Sequence, residues 1–80
     1  MFSYTVSKVA SEEAFEKACR LLEDRFAGID KEKMLEDVDG TAIQVYRKGT
    51  ASIKVYNDYE IDAVYVDSEI ELKNIFKHPA

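Results

Sequence analysis

The side chains of this chain that could take part in acid–base or nucleophilic chemistry are one histidine, one cysteine and many carboxylates. His78 lies beside Pro79 near the end of the sequence, where a general base would be poorly held in position. Cys19 falls on the apolar stripe of a predicted helix, and a buried cysteine behaves as a small hydrophobic residue. We therefore predict that neither residue is catalytic.

The carboxylates between Glu36 and Glu71 could in principle act as paired acid and base groups. Most of them fall at predicted turns, on strand exteriors or at a helix start, where an exposed structural role is expected. Asp62 is the exception, because it interrupts an otherwise apolar strand, and a bulge or a sheet edge would account for it. The nine carboxylates are Glu36, Asp37, Asp39, Asp58, Glu60, Asp62, Asp67, Glu69 and Glu71.

The segment Asp37–Gly40 resembles the middle of a calcium-binding loop, but its ligand spacing fails. If Gly40 is the sixth loop position, Leu35 takes the first position and Tyr46 takes the twelfth, where a bidentate glutamate is required. An Asp-Gly pair is typical of a tight turn instead. The sequence therefore predicts no catalytic residue, no metal or cofactor site and no enzymatic activity.

Composition indicates a single small domain that spans residues 1–80. The chain is 46% hydrophobic and 34% charged, with a formal net charge of −5. That balance is ordinary for a soluble globular protein and too apolar for a disordered one. The single cysteine excludes an internal disulfide. No apolar run is long enough to span a membrane. The first residues do not show the basic head and apolar run of a signal peptide. A cytoplasmic location is therefore expected.

The elements that must position any site begin with a strand and a helix. Phe2, Tyr4 and Val6 alternate with polar residues, which predicts a strand with one apolar face. Ser11 is a suitable N-cap for a helix that runs to about Ala27. This helix carries apolar residues at intervals of three and four, so one of its faces is expected to pack on a sheet. The stripe consists of Phe15, Cys19, Leu22 and Phe26.

Strand-forming segments rich in Val, Ile, Tyr and Thr fill the stretch from Met34 to Val66. Turn signals at Asp39-Gly40, Lys48-Gly49 and Asn57-Asp58 separate them, a pattern typical of antiparallel hairpins. The first segment, Lys33–Val38, fits either a short helix or a strand, and the adjacent Asp-Gly turn favours the strand.

The central hairpin has a definite predicted pairing. A three-residue loop at residues 48–50 would place Val45 opposite Ile53 and Ile43 opposite Val55. These four side chains would then face the helices on one side of the sheet. The alternate residues, which include Tyr46, would form an open polar and aromatic face.

A capping-box pattern, Ser68 followed by Glu71, predicts a last helix that ends before Pro79. The strand before it, Tyr59–Val66, loses its alternation at Asp62. Together the elements predict an α+β fold of order β-α-β-β-β-β-α, in which an antiparallel meander sheet has its helices packed on one face.

The open face predicts a contact surface, because tyrosine is favoured at protein interfaces. We expect a small soluble protein-interaction module that binds another protein or forms a homodimer through its sheet. A thin core gains from the burial that such contact adds. The candidate interaction surface is Gln44, Tyr46, Lys54, Tyr56 and Tyr65.

Two alternative functions use charge or base stacking instead. An acidic inhibitor or immunity-type protein would meet a basic partner surface through the run Asp58–Glu71, which contains six acids and no base. Nucleic acid could stack on the Tyr/Lys face, although a net charge of −5 disfavours that partner. The candidate acidic surface is Asp58, Glu60, Asp62, Asp67, Glu69 and Glu71.

Overall fold

The structure, a computed structural model, describes residues 1–76, which form six strands and one helix. This arrangement confirms the predicted mixed α+β fold and shows that sheet dominates it. The elements in chain order are β1 (Phe2–Ser7), α1 (Glu12–Arg25), β2 (Asp30–Lys31), β3 (Leu35–Glu36), β4 (Ala42–Lys48), β5 (Ala51–Asp58) and β6 (Ala63–Ser68).

The strands form one open antiparallel sheet of order β1-β6-β5-β4-β2, with β3 also paired to β4. β2 and β3 are each two residues long, and both lie along the outer side of β4. β1 forms the opposite edge of the sheet. The four longer strands therefore carry most of the backbone pairing.

Helix α1 begins at the predicted N-cap, and most of its predicted apolar stripe is buried. The Ser11 hydroxyl accepts a hydrogen bond from the Ala14 amide at 3.2 Å. Two glutamates in the first turn suit the positive end of the helix dipole. The helix contacts β1 and β5, and it supplies the apolar layer that covers one face of the sheet. Its buried residues are Phe15, Ala18, Cys19 and Leu22.

The pairing of β4 with β5 differs from the prediction by one residue. The turn contains only Gly49 and Thr50, because Lys48 pairs directly with Ala51. Gly49 has φ +64°, the left-handed value that the first central residue of a type II′ turn requires. Shortening the loop by one residue shifts every pair along the hairpin, so the predicted pairing is wrong.

This shift exchanges the two faces of β4 and leaves those of β5 as predicted. Gln44 and Tyr46, predicted to be exposed, lie on the helix side with exposed fractions of 4% and 0%. Tyr46 lies opposite Ile53 in the ladder. Ile43 and Val45, predicted to face the helix, alternate with them and lie on the other side. The core is therefore built around a tyrosine of β4 rather than around two aliphatic residues.

Burial of these polar residues of β4 requires partners for their polar atoms. The Tyr46 phenol donates a hydrogen bond to the Glu23 carboxylate, which also pairs with Lys31 at 3.2 Å. The Gln44 amide donates to the Glu32 carbonyl at 2.6 Å. Within residues 1–76, every buried side-chain nitrogen or oxygen has a hydrogen-bond partner.

Asp62 lies in a turn and not in a strand. β6 begins at Ala63, so the predicted strand Tyr59–Val66 is wrong in its first four residues. β5 and β6 pair without a break in register, so the bulge that was one of the explanations for Asp62 is absent. Asp62 has φ +57°, a left-handed conformation in which Asp is enriched, and its carboxylate accepts a hydrogen bond from the Ala10 amide at 2.7 Å.

The segment Lys33–Val38 is neither the predicted continuous strand nor a helix. Only Leu35 and Glu36 pair with β4. Every side chain from Asp30 to Asp39 is exposed, so no apolar burial holds this segment against the sheet as a longer strand.

The helix predicted to begin at Ser68 does not form through residue 76. The Ser68 hydroxyl bonds to the backbone of Ile70, and a single turn joins the Leu72 carbonyl to the Phe76 amide. Leu72 and Phe76 still pack in the core. The residues from Lys77 on, which include His78 and the predicted helix end at Pro79, lie outside the described residues.

The predicted order with two helices is therefore not reproduced in the described part of the chain. That part has one helix, and it has the two short strands β2 and β3 where one strand was predicted before β4. No helix within residues 1–76 is long and apolar enough to cross a membrane.

The corrected register predicts different roles for two tyrosines of the central hairpin. Tyr46→Phe should lower the free energy of unfolding by about 1.5 kcal/mol, because it removes a hydrogen bond to a carboxylate. Tyr56→Phe should change it by less than about 0.5 kcal/mol, because the Tyr56 side chain lies on the open face. Urea unfolding followed by circular dichroism measures both. A larger loss for Tyr56→Phe than for Tyr46→Phe would contradict the observed pairing.

Candidate interaction surface

The face of the sheet opposite α1 carries an aromatic and aliphatic row that crosses five strands. Thr5 pairs with Tyr65, Tyr65 with Tyr56, Tyr56 with Ile43, and Ile43 with Leu35. Directly paired residues project to the same side of a sheet, so these five side chains form one row. We call the sheet face that contains this row the open face.

A stacked pair of tyrosines occupies the middle of the open face. The rings of Tyr56 and Tyr65 are 4.5 Å apart between centroids and inclined by 12°. Both side chains are half-buried. Burial raises the pKa of Tyr65 to about 12, and the Asp58 carboxylate, which accepts a hydrogen bond from its phenol at 3.3 Å, adds to the shift. The pKa of Tyr56 is also raised, first by burial and then by the charge of Asp67.

The cations on the open face lie opposite carboxylates. Lys54 lies directly opposite Asp67 in the ladder, and the Asp67 carboxylate also accepts a hydrogen bond from the Ser3 hydroxyl at 2.6 Å. Arg47 lies directly opposite Asp30, and Asp58 adds a further carboxylate. Each of the two cations on the face therefore lies opposite a carboxylate, and the carboxylates outnumber the cations, in keeping with the net charge of −5 of the whole chain.

The structure brings together three of the five residues predicted to form the interaction surface. Lys54, Tyr56 and Tyr65 share the open face, whereas Gln44 and Tyr46 lie in the core. Sequence reasoning missed Ile43, Leu35 and Thr5 as members of the face. The signal that would have identified Ile43 is the Gly49-Thr50 pair, since glycine at the first position is typical of a two-residue type II′ turn.

The six residues of the predicted acidic surface do not form one patch. β6 separates Asp62, before its first residue, from Glu69, after its last, by about 20 Å of extended chain. Most of the six also have partners within the chain. Asp58 accepts hydrogen bonds from the amides of the following turn, Asp62 from Ala10, Asp67 from Ser3 and Glu69 from Ser52, and Glu71 pairs with Lys73.

A different set of acids rims a groove between the start of α1 and the turn before β4. The groove has a volume of about 390 Å³, and Phe15, Met34 and Tyr59 contribute apolar surface to it. Four carboxylates line it, and no Lys or Arg within residues 1–76 forms a salt bridge with any of them. These carboxylates are Glu12, Glu16, Glu36 and Asp39.

Comparisons of the chain with known protein families, with curated proteins and with solved structures found no match. The geometry of the surfaces therefore carries the functional argument.

The environment of Tyr65 predicts a pH dependence. We expect a pKa of about 12 for this phenol in the folded protein, against about 10 for an unperturbed tyrosine. Because the unfolded chain loses this proton more readily, the stabilisation by neutral Tyr65 is complete below about pH 10 and is lost as the pH rises through the folded-state pKa. Asp58→Asn should lower the Tyr65 pKa partway toward its ordinary value.

Titration of ¹³C-labelled tyrosine rings by NMR measures this pKa. A Tyr65 pKa that does not change in Asp58→Asn would contradict the contribution assigned to the Asp58 charge.

Proposed function

We propose that this protein is a small protein-interaction module that self-associates through the open face of its sheet. The observation that carries the proposal is the stacked Tyr56–Tyr65 pair at the centre of a sheet face that no helix covers within residues 1–76. Aromatic side chains at the centre of an interface contribute much of its binding energy. Ile43 and Leu35 extend the same row, and Leu35 is 57% exposed.

A dimer contact would use a modest share of the protein's surface. A stable interface needs about 800 Å² from each partner, which is about 15% of this protein's 5258 Å² surface. The five-strand row and its neighbours supply a contiguous region of half-buried side chains on this face. Covering them adds apolar burial to a fold whose own core has one helix layer.

The alternation of opposite charges on the face favours a second copy as the partner. Two chains of net charge −5 repel on average, but the open face places each of its cations, Lys54 and Arg47, opposite a carboxylate. In a two-fold symmetric contact, each chain contributes the same patch. Lys54 of one protomer can then lie against Asp67 of its partner, and the reciprocal pair forms by symmetry.

Removal of both tyrosine rings should abolish self-association. Tyr56→Ser combined with Tyr65→Ser eliminates the stacked pair and should weaken the dimer by at least about 100-fold, or about 2.7 kcal/mol. Tyr59→Ser is the matched control, because Tyr59 is 48% exposed but lies in the β5–β6 turn. Sedimentation equilibrium over a concentration series measures both variants. A wild-type protein that stays monomeric at high concentration would refute the proposal.

Charge exchange tests the same contact without removing the rings. Lys54→Glu alone and Asp67→Lys alone should each weaken the homodimer, since like charges would meet across the two-fold axis. A mixture of these two variants should restore a dimer that contains one copy of each. If the mixture associates no better than either variant alone, Lys54 does not meet Asp67 across the interface.

A second candidate function is the binding of a basic partner, and the acid-rimmed groove is the observation that favours it. Four carboxylates without a basic partner in the described chain surround an apolar floor. Such a groove can hold the methylene stem of Arg or Lys against its floor while a carboxylate pairs with the charged end. This surface replaces the acidic run Asp58–Glu71 as the site for a basic partner.

Binding at the groove should depend on which carboxylates are neutralised. Glu16→Gln with Glu36→Gln should weaken binding of the acetylated probe peptide Gly-Arg-Gly-Lys-Gly-Arg by about fivefold. Glu13→Gln with Asp24→Asn changes the net charge equally at exposed positions outside the groove. Isothermal titration calorimetry at low salt compares the two double variants. Equal loss in both would show attraction by net charge alone.

A further inference from the structure

The edge strand β1 has the features of a strand that can pair with another chain. Its six residues, Phe2–Ser7, include no charged side chain and no proline, which are the usual devices that keep an edge from pairing. β1 pairs with β6 on one side only. Its outward amides and carbonyls have no backbone partner within residues 1–76.

A groove runs beside this edge on the helix side. It has a volume of about 460 Å³ and is lined by β1, by α1 and by Phe76. Ala14, Ala18 and Leu21 are its apolar residues from α1, and Leu21 is 39% exposed. The small alanine side chains leave space between the helix and the sheet edge.

A bulge in β1 places two consecutive residues of the strand along this groove. The register shifts between Thr5 and Ser7, so Val6 is the additional residue. Ser7 pairs with Val64, a core-facing residue, and Val6 packs against the core. Two consecutive residues of β1 therefore line the groove, which ties the free backbone edge to an apolar side-chain pocket.

We propose that an extended, uncharged segment of another protein adds to the sheet beside β1, with its alternate apolar side chains in the groove between β1 and α1. Backbone hydrogen bonds to the free edge give the affinity, and the groove selects residues of suitable size and polarity. The side chains of an added strand alternate between the two faces, so every second residue projects toward α1.

The area available favours a short peptide over a second copy of the chain. β1 is six residues long, which corresponds to an edge of about 20 Å. Edge-to-edge contact of two sheets along that length buries far less than the roughly 800 Å² per partner of a stable dimer. A peptide strand gains contact with the β1 backbone and with the groove at once.

The charges near the groove favour an uncharged segment. β1 is neutral, and the charged residues that line the groove are Glu13 and Lys17, one of each sign. The net charge of −5 also disfavours an acidic segment. Aliphatic residues that alternate with Ser or Thr therefore match both the pocket and the edge.

The test uses the full chain and the acetylated, amidated peptide Ser-Val-Thr-Leu-Thr-Val-Ser, which is uncharged and apolar at alternate positions. In a peptide titration of ¹⁵N-labelled protein followed by ¹H–¹⁵N correlation spectra, the peptide should shift the amide signals of β1 and of Ala14 and Leu21. It should also slow hydrogen exchange of the outward amides of β1. Shifts confined to the open face or absent from β1 would overturn the proposal.

Two N-methylated peptides test backbone pairing directly. One carries methyl groups on the amides of Val and Leu, and the other carries them on the amides of Thr and the last Ser. Amides of successive residues in a strand point to opposite sides, so one peptide should lose binding by at least about tenfold and the other should retain it. Equal binding by the two peptides, or equal loss, would overturn strand addition.

Substitution in the groove separates this site from the dimer surface. Leu21→Lys should weaken peptide binding by at least about tenfold. Ile61→Lys, the same gain of charge at an exposed residue of the β5–β6 turn outside the groove, should alter it by less than about twofold. The variant with both Tyr56→Ser and Tyr65→Ser should bind the peptide as the wild type does, so dimerisation can fail while this proposal holds. If exchange of the outward β1 amides in this double variant slows with rising protein concentration without peptide, a second copy occupies the edge and the proposal is wrong.

Discussion

The two-residue turn at Gly49 and Thr50 determines which side chains of the central hairpin face α1. Side chains alternate along a strand, so the length of this turn sets the face of every residue in β4 relative to β5. With two residues in the turn, Tyr46 joins Ile53 in the core. The aromatic content of the open face then comes from Tyr56 of β5 and from its neighbour Tyr65 of β6, rather than from β4.

The open face follows from the number of layers in the fold. Within residues 1–76, one helix packs on the sheet, so only one face of the strands is covered. The other face holds the stacked tyrosines, aliphatic residues and cations that lie opposite carboxylates. A sheet with one covered face is stable when the uncovered face stays partly polar. The same polarity allows reversible contact with a partner, because the charged residues remain hydrated in the monomer.

Local sequence signals predicted the parts of the fold that depend on neighbouring residues. The cap at Ser11, the buried stripe of α1 and the alternation in β1 all involve residues within a few positions of one another. The faces of β5 were also predicted correctly, since Ile53 and Val55 alternate with polar residues. In physical terms, these features follow from the periodicity of side chains along a single element.

Most of the errors arose where the outcome depends on residues far apart in the chain. The Gly49-Thr50 pair was a local signal for a two-residue turn, but glycine also occurs in three-residue loops, and the choice of the longer loop changed every pair of the hairpin. Tyr46 is buried because Glu23 of α1 accepts its hydrogen bond, a partner 23 positions away. The acidic run Asp58–Glu71 is continuous in sequence, but the extended strand β6 separates its two ends in space. For the same reason, the acid-rimmed groove joins residues of α1 and β3 that no sequence motif links.

Self-association through the open face is the proposal on which the function of this protein depends. The measurement that tests it is isotope-filtered NOE spectroscopy on a mixture of ¹³C-labelled and unlabelled protein at high concentration. We predict intermolecular NOEs from the ring protons of Tyr56 and Tyr65 to the methyl groups of Ile43 and Leu35. Intermolecular NOEs that involve only residues outside the open face, or none at all, would contradict self-association through this surface.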